Sequence, residues 1–130
     1  MRQLTGHVIN PANDKLSVTV LDEPAHGGAC HTYRIAGFDS TTNPAAVDTA
    51  NVQELVLMFQ NGPINEAGVN GITHEALLEI LIDRLRGFQS GPYACRENAV
   101  ALTKLEEAAM WLGKRTRERM ARGVEGTHKF

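Results

Sequence analysis

The apolar period of this chain changes once, near Thr73, and that change constrains the fold more than any other feature. Before it, apolar residues alternate. In "KLSVTVLDE", Leu16, Val18 and Val20 stand against Ser17, Thr19 and Leu21, the pattern of a half-buried strand running into a turn at Pro24, Gly27 and Gly28. "CHTYRIAGF" follows with Thr32, Tyr33 and Ile35 and closes at Gly37, so the pair predicts an antiparallel hairpin. "NPAN" at 10–13 and "TTNPAA" at 41–46 have turn or loop composition. "VQELVLMFQ", Val52 to Gln60, is a denser apolar run and predicts a more buried strand, and the turn-rich "INEAGVNG" follows it.

After Thr73 the period is helical. Thr73 can cap a helix with Glu75 in its first turn, and Leu77, Leu81, Leu85 and Phe88 recur at helical spacing until Gly87 and Gly91 end the run. Pro92 suits the first position of a second helix, where its missing N–H costs nothing. Asn98, Leu102, Leu105, Ala109 and Leu112 form the stripe of that helix. Two stripes joined by so short a linker predict an antiparallel helical hairpin. The expected class is α+β: an N-terminal antiparallel sheet over 1–72, a helical hairpin over 73–122 and a loose tail over 123–130, together one domain of 130 residues.

The linker "GPYACREN", Gly91 to Asn98, carries more chemistry than a reversal needs. Phe88, just before it, reads either as a core aromatic closing the hairpin or as a platform on which a base stacks. Asn98 is an amide in an otherwise apolar stripe, either a satisfied structural group or a ligand contact. The first turn of the second helix, placed at Pro92 to Cys95, would offer backbone N–H groups to an anion. Arg115, Arg119 and Arg122 follow at spacings of four and three, either as a solvated helix end or as a clamp for phosphate oxygens.

Charge is placed unevenly. "KRTRERMAR", Lys114 to Arg122, holds five positive residues and one negative within a chain of net charge −2. A basic stripe on an acidic body suits phosphates, but one stripe is too little for duplex nucleic acid. Helix length adds a constraint. Asn98 and Arg115 are 17 residues apart, about 25 Å along one helix. A small nucleotide touching both must therefore take them from different subunits, as a two-fold antiparallel dimer would provide.

Other chemistry finds little support. His7, His26, His31, His74 and His128 show no HxxxH or HExxH spacing, and there is no nucleophile elbow, Walker-type loop or dinucleotide fingerprint. "HGGACH", His26 to His31, reads as a hairpin connection rather than a metal or oxyanion loop. Cys30 and Cys95 read as ordinary buried or half-buried thiols, with neither a disulfide framework nor a zinc site. No catalytic residue, metal or cofactor is expected. No apolar run approaches the about 20 residues that span a bilayer, and "MRQLTGHVIN" has no signal-peptide core, so the expectation is a cytosolic protein.

The words "GPYACRENAVALTKLEEAAMWLGKRTRERMARGVEGTHK", "LTGHVINPANDKLSVTVLDEP", "HTYRIAGF" and "FQNGPINEAGVNGITHEALLEIL" resemble the phage Thoeris anti-defence sponge family, whose C-terminal hairpin is shared with phage anti-CBASS sponges. The resemblance implies a sheet followed by two helices, assembled as dimers or hexamers. It implies a protein that captures cyclic ADP-ribose isomers (glycocyclic ADP-ribose) made by bacterial TIR proteins, does not degrade them, and acts in the host cytoplasm. Some hexameric members also hold cyclic di- or trinucleotides of CBASS at separate sites. Carried over by motif, Phe88 would be the stacking aromatic, Asn98 a polar contact, and Arg115 and Arg119 the phosphate-binding arginines. Arg96 would match an arginine that hexameric members use for the second ligand class. The competing expectations are a small nucleotide-cleaving enzyme acting on the same signal and a phage protein-interaction module.

Overall fold

The computed structural model describes residues 1–46, 52–123 and 127. The chain is α+β and forms two compact units, Met1–Asn61 and Gly62–Phe130.

The first unit is a four-stranded antiparallel sheet in the order β1-β2-β3-β4, with β1 Arg2–Leu4, β2 Ser17–Val20, β3 Thr32–Ala36 and β4 Glu54–Met58. The expected hairpin is β2 on β3, with Val18 opposite Ile35 and Val20 opposite Tyr33. β4 continues the same face, with Leu55 opposite Ile35 and Leu57 opposite Tyr33. Apolar residues thus collect on one side of the sheet, where Val20 is fully buried and Tyr33 meets Phe59 edge to face at 5.7 Å.

The β2–β3 connection is tied by Asp22, whose carboxylate accepts the backbone N–H groups of His31 (2.8 Å) and Thr32 (3.1 Å). "HGGACH" lies in that connection. Gly27 and Gly28 take positive φ, and the Ala25 N–H donates to the Ala29 carbonyl to close the loop. Gly37 ends β3 where the chain passes the backbone before β2: with φ +97°, a Cβ there would stand 1.9 Å from the Lys15 carbonyl oxygen.

Several expectations need correction in this unit. "NPAN" opens a short helix, α1 Pro11–Lys15, because the Asn10 side chain caps it by accepting the Asn13 N–H and Pro11 starts it. β1 was not expected as a separate strand, since three residues are too few for alternation to show. The dense run at 52–60 gives a strand shorter and more exposed than expected. β4 is the edge of the sheet, and Leu55, Val56 and Met58 remain between 43% and 59% exposed.

The second unit opens with one turn of helix, α2 Ile64–Ala67, then the hairpin of α3 His74–Gln89 and α4 Arg96–Ala121. Thr73 caps α3 as its composition predicts, its hydroxyl oxygen accepting the Ala76 N–H at 3.2 Å. The buried side of α3 runs through Leu78, Ile82 and Leu85 rather than Leu81. Leu77, Leu85 and Phe88 of the expected stripe are half-buried, whereas Leu81 is 47% exposed and its neighbour Ile82 is 3% exposed. Gly87 lies inside α3, which ends at Ser90, where the Ser90 N–H is shared between the carbonyls of Arg86 and Gly87. Across the hairpin, Arg86 donates to Glu106 at 2.8 Å, and that bond raises the arginine's pKa. The half-buried side of α4 follows Asn98, Leu102, Leu105, Ala109 and Leu112, as expected, and continues to Thr116 and the buried Arg119.

No helix among the described residues is long and apolar enough to cross a membrane. Most of the tail expected to be loose lies outside the described residues.

Candidate ligand site

The hairpin turn is built differently from its sequence expectation. Pro92 does not start α4. It occupies the second position of a β-turn closed by the Ala94 N–H on the Gly91 carbonyl at 3.3 Å, a position its fixed φ favours. α4 begins at Arg96 because Cys95 takes the cap. The Cys95 Sγ accepts the Asn98 N–H at 3.4 Å, while the Cys95 N–H donates to the Gln89 Oε1 at 3.1 Å. The free N–H groups of the helix therefore start at Arg96, four residues later than expected. Cys95 is exposed, against the expectation of a buried or half-buried thiol, whereas Cys30 is buried as expected.

This turn brings Phe88 and Asn98 to the same end of the hairpin. Phe88 is half-buried in the last turn of α3. The Arg84 guanidinium lies 5.0 Å over its ring centre, and Tyr93 meets it at 6.2 Å and 76°. Asn98 is half-buried in the first turn of α4, and its side-chain amide makes no hydrogen bond among the described residues. Phe88 near the end of α3 and Asn98 near the start of α4 both stand by the turn. Arg96, the first residue of α4, is exposed.

The arginines sit at the opposite end. Arg115, Glu118, Arg119, Ala121 and Arg122 line a depression of about 500 Å³ around the last turns of α4. Arg119 is 8% exposed, and its Nη2 donates to the Thr127 carbonyl at 3.3 Å. Glu118 is held by Lys114 at 2.5 Å, which lowers the carboxyl pKa and keeps it ionised. Lys114 also stands 5.9 Å from the ring centre of the exposed Trp111. Arg115, Arg119 and Arg122 thus line one depression together with Glu118.

The structure places Phe88 and Asn98 near the turn of the hairpin and groups Arg115 with Arg119 near the other end of α4. α4 is unbroken from Arg96 to Ala121, so Asn98 and Arg115 are about 25 Å apart along it. Sequence reasoning did not single out Arg84, Tyr93 or Glu118. Arg84 stands four residues before Phe88 and Glu118 four after Lys114, spacings that bring helical side chains together. Among the described residues no group of three or more His, Cys, Asp or Glu is placed to hold a metal ion.

The chain thus combines an antiparallel sheet with a helical hairpin that carries an aromatic and an amide at its turn end and arginines at its other end. Residues 54–117 match the family model of the Acb2/Tad1 hairpin domain. The chain is also 59% identical, over 71 residues, to Thoeris anti-defense 1 of Bacillus phage SBSphiJ7, a stretch covering 55% of this chain and 50% of that relative. Over these stretches the chain is similar to the phage Thoeris anti-defence proteins. It spans about half the length of the curated relative it matches.

Proposed function

We propose that this protein is a non-enzymatic anti-defence sponge that captures cyclic ADP-ribose isomers in the cytoplasm of the infected host, using pockets shared between two copies of the chain. What supports this reading is that Asn98 and the Arg115–Arg119 pair stand at opposite ends of the unbroken helix α4, with Phe88 on α3 near the Asn98 end. Phe88 stacks the base and Asn98 meets its polar edge, while Arg115 and Arg119 of the second copy neutralise the pyrophosphate. An antiparallel two-fold pair sets each aromatic end against an arginine end and makes two equal pockets.

The exposed apolar residues support a second copy. Leu55 and Met58 on β4, Ile80 on α3, and Met110, Trp111 and Met120 on α4 are all large and 47% or more exposed. Only Val20, Cys30 and Ile82 stand as buried apolar side chains among the described residues. Association of two copies would cover some of the exposed apolar side chains.

Binding without turnover suits this role, because holding the ground state tightly gives affinity and no rate. Arg96 is assigned to the second ligand class, cyclic di- or trinucleotides, in a higher assembly such as a hexamer.

The test is titration with a panel of cyclic ADP-ribose isomers, read beside the mass in solution. One ligand per chain in a dimeric particle is expected. At 100 times its Kd the ligand should add about 2.7 kcal/mol of stability, visible as a raised melting temperature. A monomeric particle, or no shift with any isomer, contradicts the reading.

A further inference from the structure

Tyr93 is not needed by the turn it occupies. The third position of a turn closed by Gly91 and Ala94 accepts many small or polar residues, yet it holds a large aromatic that is 73% exposed. Its placement is nevertheless defined. On one side the Ala94 N–H closes the turn, and two residues further on the Gln89 side chain holds the Cys95 N–H. The tyrosine ring lies against Phe88 at 6.2 Å and 76°, so the two rings form a corner. The Arg84 guanidinium lies 5.0 Å from the centre of the half-buried Phe88 ring.

We infer that Tyr93 is a second aromatic contact for the purine of the captured ligand, standing as a wall beside the Phe88 floor. This rests on the sponge reading above and adds a recognition residue to its pocket. A base stacked on Phe88 would be bounded by Tyr93 along one edge, because the two ring planes stand at 76°. An exposed aromatic that is already positioned loses little freedom when a ligand arrives, so its contact adds affinity efficiently. The ring, rather than the hydroxyl, provides the contact, and Tyr93→Phe should therefore bind like the parent.

The experiment compares the full-length protein with its Tyr93→Ala, Tyr93→Phe and Phe88→Ala variants by calorimetric titration with glycocyclic ADP-ribose. Melting temperature and particle mass are followed in parallel. Tyr93→Ala is expected to weaken binding about five- to fiftyfold, at the lower end of base–aromatic stacking contributions, and Tyr93→Phe less than twofold. Tyr93→Ala binding like the parent while Phe88→Ala fails overturns this inference and leaves the pocket reading standing. No binding by the parent overturns both.

Should Tyr93→Ala fail to fold, the intact protein answers the question through nuclear Overhauser contacts between tyrosine ring protons and the adenine H2 or H8. They are expected in the parent and, for that ring, lost in Tyr93→Phe, which separates Tyr93 from Tyr33. Their absence from the parent overturns the inference.

Discussion

A mixed dimer carrying Asn98→Ala in one subunit and Arg115→Ala in the other should keep half of its binding capacity at full affinity. The reasoning is geometric. α4 runs without a break from Arg96 to Ala121, and 17 residues at about 1.5 Å each separate the two positions by about 25 Å. A pocket that uses both must draw Asn98 from one chain and Arg115 from the other. In the mixed dimer one pocket then holds both lesions and the other holds neither. Each homodimer, by contrast, has one lesion in every pocket. Losing a charge-assisted contact from Arg115 removes about 1.5–3 kcal/mol, or roughly 10- to 150-fold in Kd. Losing the amide of Asn98 and leaving a polar ligand edge unpaired costs about 1–3 kcal/mol. The assay is co-expression with two different affinity tags, sequential purification, and calorimetric titration with glycocyclic ADP-ribose. The expected stoichiometry is half the parent value at parental affinity, with both homodimers weakened at least about fivefold. A mixed dimer in which every site is weakened would refute the shared pocket, because it would mean that one chain supplies both residues.

Phe88→Ala is expected to weaken capture by about 1–3 kcal/mol, roughly five- to 150-fold, with the particle mass unchanged; parental affinity would contradict the stacking role. Gly37→Ala should destabilise the sheet unit by about 2 kcal/mol or more, because its φ of +97° and the Lys15 carbonyl 1.9 Å from the new Cβ both oppose a side chain. Urea denaturation with an unchanged midpoint would refute that. The Asp22 carboxyl is held below its ordinary value of 3.8, chiefly by the His31 backbone N–H it accepts. A lowered folded pKa gives stability that is present above the ordinary value and lost as pH falls through the folded one. Stability should therefore fall as pH drops below about 3.8, and more gently in Asp22→Asn; identical acid profiles would count against it.

The parts of the fold that were legible in sequence are those where one signal dominated. Val18, Val20, Tyr33 and Ile35 alternate without competition and pair as expected. Thr73 stands where a helical period begins, and it caps. The parts that were misread are those where two readings share one signal. Asn10 and Pro11 suit a turn as well as a helix start, and only the Asn13 N–H decides between them. Leu81 and Ile82 are neighbouring aliphatics, and the packing of α3 against α4 chooses the second. Pro92 suits a helix start and a turn equally, and the Cys95 thiol, an unusual cap, moves the start to Arg96.

At the candidate site, Asn98 was visible as the amide in an apolar stripe, and the helix length implied that a small ligand touching both ends of α4 would take them from two chains. Arg84 and Tyr93 were not visible as site residues. Their meaning comes from contacts with Phe88 through a helix turn and a chain reversal, which no single period records.

Capture without chemistry is read from what the protein releases. The protein is incubated with glycocyclic ADP-ribose, freed of unbound ligand, and heat-denatured, and the released small molecules are identified by mass. The account predicts recovery of the intact cyclic molecule in near-equal amount to the pockets. Recovery of linear ADP-ribose or smaller fragments would contradict it and make the protein an enzyme.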